Sequence, residues 1–279
     1  MTIHWSIESS RKVNFAEACE YFESAGSGLF SKDLDVTASV LRGLYEDRDF
    51  FVDFLVAQLK AGISVENSYS SQVFVLRKSK YYTLRAVVWD APRGLPGEEM
   101  FLYEMPHDHD FSFFTLGYHG PGYETEVYSY DNESVVGVKG EEVETSGHER
   151  WRLSERKVVL FEGGKDIHSQ SPPESLSVSF NVLQDVGAFE IKRRQYQFDG
   201  SFSRIEKVLN VNPLPLFVRA ACAVGGDAVE YVEEIARSAP SGYSRAAALK
   251  ALVQLDEKYV GLAMRDNSSY VRNAVADIL

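Results

Sequence analysis

The sequence predicts an α+β protein, with an antiparallel β-barrel or jelly roll in mid-chain and helices at both ends. Three observations predict it. Residues 13–60 carry apolar side chains at intervals of three and four. Residues 69–200 break into short runs rich in Val, Phe, Tyr and Thr, separated by Gly, Pro and Asp. From residue 204 onward the helical spacing returns. The chain divides accordingly into a helical extension over 1–65, a β-barrel over 66–203 and a helical region over 204–279.

In the first segment Phe15, Ala18, Cys19 and Phe22 share one helix face, and Gly26 and Gly28 end that helix. Over 35–59 the residues Val36, Val40, Leu44, Phe51, Phe54, Leu55 and Leu59 repeat the spacing, with Gly62 as the stop. These helices are expected to cover the outside or one end of the barrel. Strands are expected at 72–77, 81–89, 100–104, 111–116, 124–130, 135–139, 149–153, 157–161, 175–183 and 189–196. Their number and spacing suit a barrel or jelly roll.

Pro213 and Pro215 punctuate the entry to the third segment, and 244–255 is an Ala/Leu-rich helix. The end, AMRDNSSYVRNAVADIL, resembles the second helix of a HEAT-type repeat with its lead-in turn. Asp266, Asn267 and Ser268 make the turn, and Tyr270, Val271, Ala274, Val275 and Ile278 the packing face. An ordinary helical bundle is the alternative. A repeat array needs about three or more units to stand alone, so this region is expected to pack on the barrel or to offer a surface for a homodimer or protein partner.

The formal net charge of −12 opposes a phosphate backbone, so no nucleic-acid partner is expected. No apolar run is long enough to span a bilayer, and no basic-then-apolar leader opens the chain, so the expectation is a cytoplasmic protein with no membrane partner. Cys19 and Cys222 lie far apart and form no zinc spacing. Walker-type loops, G-x-G-x-x-G and G-x-S-x-G are absent.

The sharpest local signal is PHDHDFSF at 106–113. On a strand, residues i and i+2 face the same way, so His107 and His109 aim two imidazoles at one point. Asp108, between them, points to the opposite face. Roughly sixty residues on, His168 follows VVLF, the Gly163-Gly164 turn and Asp166. Phe111 and Phe113 continue the face of the histidine pair. Ser177, Ser179 and Asn181 form one polar strand face, directed to the cavity or to solvent. His4, His119 and His148 read as terminal or loop residues, and Glu124 or Glu126 would be a carboxylate ligand only if the register shifts.

These residues resemble the two motifs of the cupin superfamily, whose double-stranded β-helix brings a third histidine opposite an H-x-H pair. The resemblance covers 82–181 and neither helical end. Gly117, Gly120 and Gly122 match the later glycine loosely, and Gly163 and Gly164 the glycine before the last histidine. Phe113 and Phe114 stand where the motif has its glutamate, and Glu162 or Gly163 replaces its proline. A site left with three neutral histidines is similar to that of the cysteine (thiol) dioxygenase-like branch. HDHDFSFFTLGYHGPGYETEVY, DIHSQSPPESLSVSF and the Trp-ended strand TLRAVVWDAP also resemble that branch, although the linker after the Trp is longer here.

The resemblance implies a metal held by His107, His109 and His168, a small chelating substrate, and Arg77 or Arg85 for its carboxylate. Fe(II) suits three neutral ligands, because up to three coordination positions stay open. Zn, Mn and Ni are alternatives, and zinc prefers four-coordinate sites. Asp166 is expected to orient an imidazole N–H. The leading expectation is a non-haem Fe(II)-dependent dioxygenase. A Zn or Mn isomerase or hydrolase, or a non-enzymatic ligand-binding module with an interaction tail, are the competing readings.

Overall fold

The computed structural model describes residues 2–8, 11–61, 72–94, 101–185, 194–210 and 213–279. Helices α1 (Phe15–Ala25), α2 (Leu34–Leu44) and α3 (Arg48–Lys60) follow a short first strand, β1 (Ile3–Ser6). Asn14 starts α1 with a capping box, its side chain accepting the Glu17 N–H while the Glu17 carboxylate accepts the Asn14 N–H. The apolar run over 35–59 is broken into α2 and α3 near Tyr45–Asp47, where Arg42 is buried and reaches back to the Ile7 carbonyl and across to Glu46. The expected stop at Gly62 lies outside the described residues.

Among the described residues ten more strands follow: β2 (Val73–Lys78), β3 (Tyr82–Trp89), β4 (Phe113–His119), β5 (Glu124–Tyr130), β6 (Thr145–Arg152), β7 (Lys157–Phe161), β8 (Asp166–Ser171), β9 (Ser177–Gln184), β10 (Tyr196–Phe198) and β11 (Ile205–Val208). One antiparallel layer has the order β1-β7-β4-β9-β3-β2. The second contains β6-β5-β8 and the β10-β11 pair. His107 bridges these two pieces, pairing with His168 of β8 on one side and Gln197 of β10 on the other. Among the described residues no ladder joins the two layers into a closed barrel.

The outer face of the first layer is covered by the N-terminal helices. Leu84, Ala86, Phe114, Leu116, Leu160, Phe180 and Val182 pack there with Phe22, Leu41 and Phe51. Its inner face meets the second layer through Phe113, Val159, Phe161 and Leu183, packed with Tyr123, Val127 and Leu153. The central strands of this layer are therefore buried on both sides; β7 reads as a nearly continuous apolar run, whereas β9 alternates polar and apolar residues. The β5 entry depends on Gly122, which has φ +76, and whose Cβ would stand 1.8 Å from the Leu153 carbonyl oxygen.

Residues 101–104 and 135–139 are not strands, Met100 lies outside the described residues, and 186–193 of the last expected strand do too. Strands β1, β8 and β11 were not expected. The third segment forms α4 (Leu214–Val224), α5 (Asp227–Ser238), α6 (Gly242–Leu255), α7 (Val260–Ala263) and α8 (Ser269–Ala276). Leu249, Leu252, Val271 and Val275 bury against one another with Val218 and Val232, while Leu255 and Ile278 stay exposed. The unit meets the second layer at Glu133, which accepts the Ser268 hydroxyl at 2.9 Å. No helix of the described residues is long and apolar enough to cross a membrane.

Candidate metal centre

Residues 106–109 run as an extended segment through the second layer. Pro106 cannot donate a backbone hydrogen bond, but its carbonyl accepts the Phe198 N–H at 2.8 Å. His107 and His168 exchange both backbone hydrogen bonds, at 3.0 and 2.9 Å, so they stand directly opposite on neighbouring strands. His109 accepts the Gly164 N–H at its carbonyl, 2.7 Å away, which ties the segment to the turn before β8.

That turn needs its glycines. Gly164 has φ +72, and a Cβ on Gly163 would lie 2.6 Å from the Phe111 carbonyl carbon. The Glu162 N–H donates to Asp166 Oδ2 at 2.7 Å, closing the turn from inside. Asp166 thus serves the turn that presents His168. Burial raises its pKa.

The three histidines meet. Each offers one ring nitrogen, and these nitrogens all lie within 4.8 Å of one another. Ring centroids are 4.5 Å apart for His107–His168, 5.0 Å for His107–His109 and 5.1 Å for His109–His168. The Met105 carbonyl lies 2.9 Å from His107 Nδ1 and can only accept, so Nδ1 carries the proton and Nε2 keeps the lone pair. Among the described residues, the Nδ1 atoms of His109 and His168 are buried without a hydrogen-bond partner. Burial lowers the pKa of His107, and it holds His109 and His168 well below 6.5. The cluster is therefore a set of neutral imidazoles with unused nitrogen atoms, which is the donor set a divalent transition metal takes.

Phe111 stacks on His109, Phe113 meets the same ring edge-on, and Phe161 of β7 lies 4.6 Å from His168. A polar row crosses the facing layer: Arg85 of β3 pairs with Asn181 of β9, which pairs with Thr115 of β4. Arg85 alternates with Leu84 and Ala86, which pack under the helices, so it points inward, and its charge lowers the pKa of His107 and His109. Tyr123 stands beside the hydroxyls of Thr115 and Ser179, and burial pushes its phenol up to about 12. Trp89 Nε1 donates to Ser179 Oγ at 3.0 Å. The polar face of Ser177, Ser179 and Asn181 is thus buried rather than solvated.

Arg77 sits elsewhere. A bulge between Val75 and Arg77 turns it to the helix side, where it lines a groove with Phe15, Cys19 and Glu23 of α1. Glu124 and Glu126 also point away, because Val127 is the residue opposite His168. Glu124 pairs with Arg150 and Arg152, and Glu126 with His148, on the outer face. A carboxylate ligand from β5 is therefore excluded. His119 lies near Glu155, and His4 sits in β1 beside Glu149. Phe161, Thr115 and Tyr123 were not singled out in the sequence. The signal for Phe161 was present, as the last residue of the VVLF strand one turn before the histidine.

Asp108 points opposite to the histidines. It is fully buried, and burial pushes its carboxyl up to about 7.

No family model and no curated protein matches the chain. Solved structures align with parts of it. The DMSP lyase DddQ from Ruegeria pomeroyi DSS-3 is 16% identical over 40% of this chain and 45% of the lyase, at a TM-score of 0.26. Hydroquinone 1,2-dioxygenase from Sphingomonas sp. TTNP3, with 4-hydroxybenzoate bound, is 12% identical over 44% of this chain and 70% of that one, at 0.25. The polyketide cyclase RemF from Streptomyces resistomycificus is 9% identical over 53% and 80%, at 0.25. The chain thus spans less than half the length of the lyase it matches. At such scores none of the three fixes the fold or the chemistry of this protein.

Proposed function

We propose that this chain is a metal-dependent protein of the three-histidine cupin type, and that it acts as a non-haem Fe(II) dioxygenase on a small, anionic, chelating substrate. The observation that carries the reading is the convergence of His107, His109 and His168, one nitrogen each, within 4.8 Å. Three neutral ligands leave the full charge of a divalent ion uncompensated, and Arg85 adds a positive charge from the facing layer. An anionic substrate is favoured on both counts. When bound, Fe(II) supplies open positions for dioxygen and for a two-point substrate contact.

The chain's own residues do the rest. Arg85, Asn181 and Thr115 offer a charge and two hydrogen-bonding groups in one row to fix the substrate's polar end. Phe111, Phe113 and Phe161 keep water from the imidazoles. The Met105 carbonyl fixes the tautomer of His107.

The test is metal analysis of protein purified anaerobically, followed by oxygen uptake against small carboxylate-bearing chelators. About one iron per chain is expected, with loss of most of it when any of the three histidines is changed to Ala. Full metal retention in the triple variant ends the metal reading. A chain that takes only Zn or Mn and consumes no oxygen moves the reading to non-redox Lewis-acid chemistry.

A further inference from the structure

We propose that Asp108 is a positioning residue for the histidine centre and that it joins this centre to the docked C-terminal helices. The inference rests on the metal reading above. Asp108 stands between His107 and His109, so its side chain leaves the segment on the other face. Each carboxylate oxygen holds a different element. Oδ2 accepts the Tyr130 hydroxyl at 2.6 Å, at the end of β5. Oδ1 accepts the Tyr196 N–H at 2.5 Å, at the start of β10. The Asp108 N–H in turn donates to the Tyr196 carbonyl at 3.1 Å. The residue is therefore clamped to β5 and to β10 at the point midway between two proposed ligands. A tilt or slide of the segment that re-aimed the imidazoles would break these bonds, and in a buried site each broken bond leaves a polar group unpaired.

Both arms of the clamp lead to the same place. The Tyr130 oxygen also takes a hydrogen bond from Asn132 Nδ2 at 2.6 Å. The next residue, Glu133, accepts the Ser268 hydroxyl, and a Cβ on Gly242 would stand 2.7 Å from its carboxylate. Ser268 precedes α8 and Gly242 opens α6. On the other arm the Tyr196 ring reaches Gly137 and lies with Arg194, with Tyr243 of α6 and with Tyr270 of α8. A polar group buried only to fill the core has no need of two routes ending on one pair of helices.

The experiment titrates Co(II) into the full-length protein stripped of metal and reads the visible ligand-field absorption. Wild-type protein is expected to saturate at about one ion per chain. Asp108→Asn and Tyr130→Phe should each weaken Co(II) binding about 10-fold and alter the spectrum. Glu133→Gln, at the helical contact and away from the imidazoles, should weaken it about threefold. Tyr130→Phe keeps the ring and removes one hydroxyl, so it decides the matter if Asp108→Asn does not fold. An unchanged Co(II) affinity and spectrum in Tyr130→Phe, with only a lower melting temperature, overturns the positioning role. An unchanged affinity in Glu133→Gln overturns the link to the helices. Wild-type protein that takes no Co(II) would instead sink the metal reading itself.

Discussion

Protons compete with a metal for imidazole nitrogen, and the burial of His107, His109 and His168 sets where that competition begins. Their ordinary value is 6.5, and all three are lowered in the fold. As pH falls through 6.5 an unfolded chain takes up protons at these residues and the folded chain does not, so acid weakens the fold relative to the unfolded state from that point down. Metal affinity is expected to stay level down to about pH 6.5. It then falls steeply only below the depressed values, measured as Co(II) affinity against pH. A fall in affinity that begins at or above pH 6.5 would mean that burial does not shield these imidazoles from protons. The histidines were legible because period two and a glycine turn are local facts. Arg77 and Arg85 were not separable, because a single bulge after Val75 reverses which face Arg77 takes.

At the scale of elements, the turn before His168 is the joint on which the third proposed ligand depends. Gly163 lies against the Phe111 backbone, with space for no Cβ, and its N–H donates to Ser112 Oγ at 3.2 Å. Gly163→Ala must therefore push the turn away from Phe111. It is expected to cost about 1–3 kcal/mol in chemical denaturation and to lower metal content, because His109 is bonded to the same turn through Gly164. Stability and metal content both at wild-type levels would show that the turn gives way freely. The strand β8 itself escaped the sequence because Asp166, His168 and Gln170 are polar yet buried, so the apolar signal of an inner strand is missing. β9 posed the opposite difficulty. Its polar face is buried toward the second layer and its apolar face lies under the helices, so alternation alone did not say which was inside.

For the whole molecule, the question is whether the C-terminal helices are a separate weight or part of the site's frame. α6 is the centre of that unit, buried by α4, α5 and α8 on its sides, and Leu249 is fully buried within it. Truncating it, Leu249→Ala, is expected to destabilise the unit by about 2–5 kcal/mol. The readings are helical circular dichroism during thermal unfolding and Co(II) affinity at a temperature where the first layer is intact. Glu133 and Tyr196 both lie against this unit and both connect to Asp108, so loosening α6 should weaken Co(II) binding before the sheets melt. The reverse must hold by linkage: Co(II) should raise the melting temperature of the helical unit in wild-type protein. A helical transition that shifts in Leu249→Ala while Co(II) neither moves it nor binds less tightly would mean that the helices and the sheets, although in contact, unfold as independent bodies.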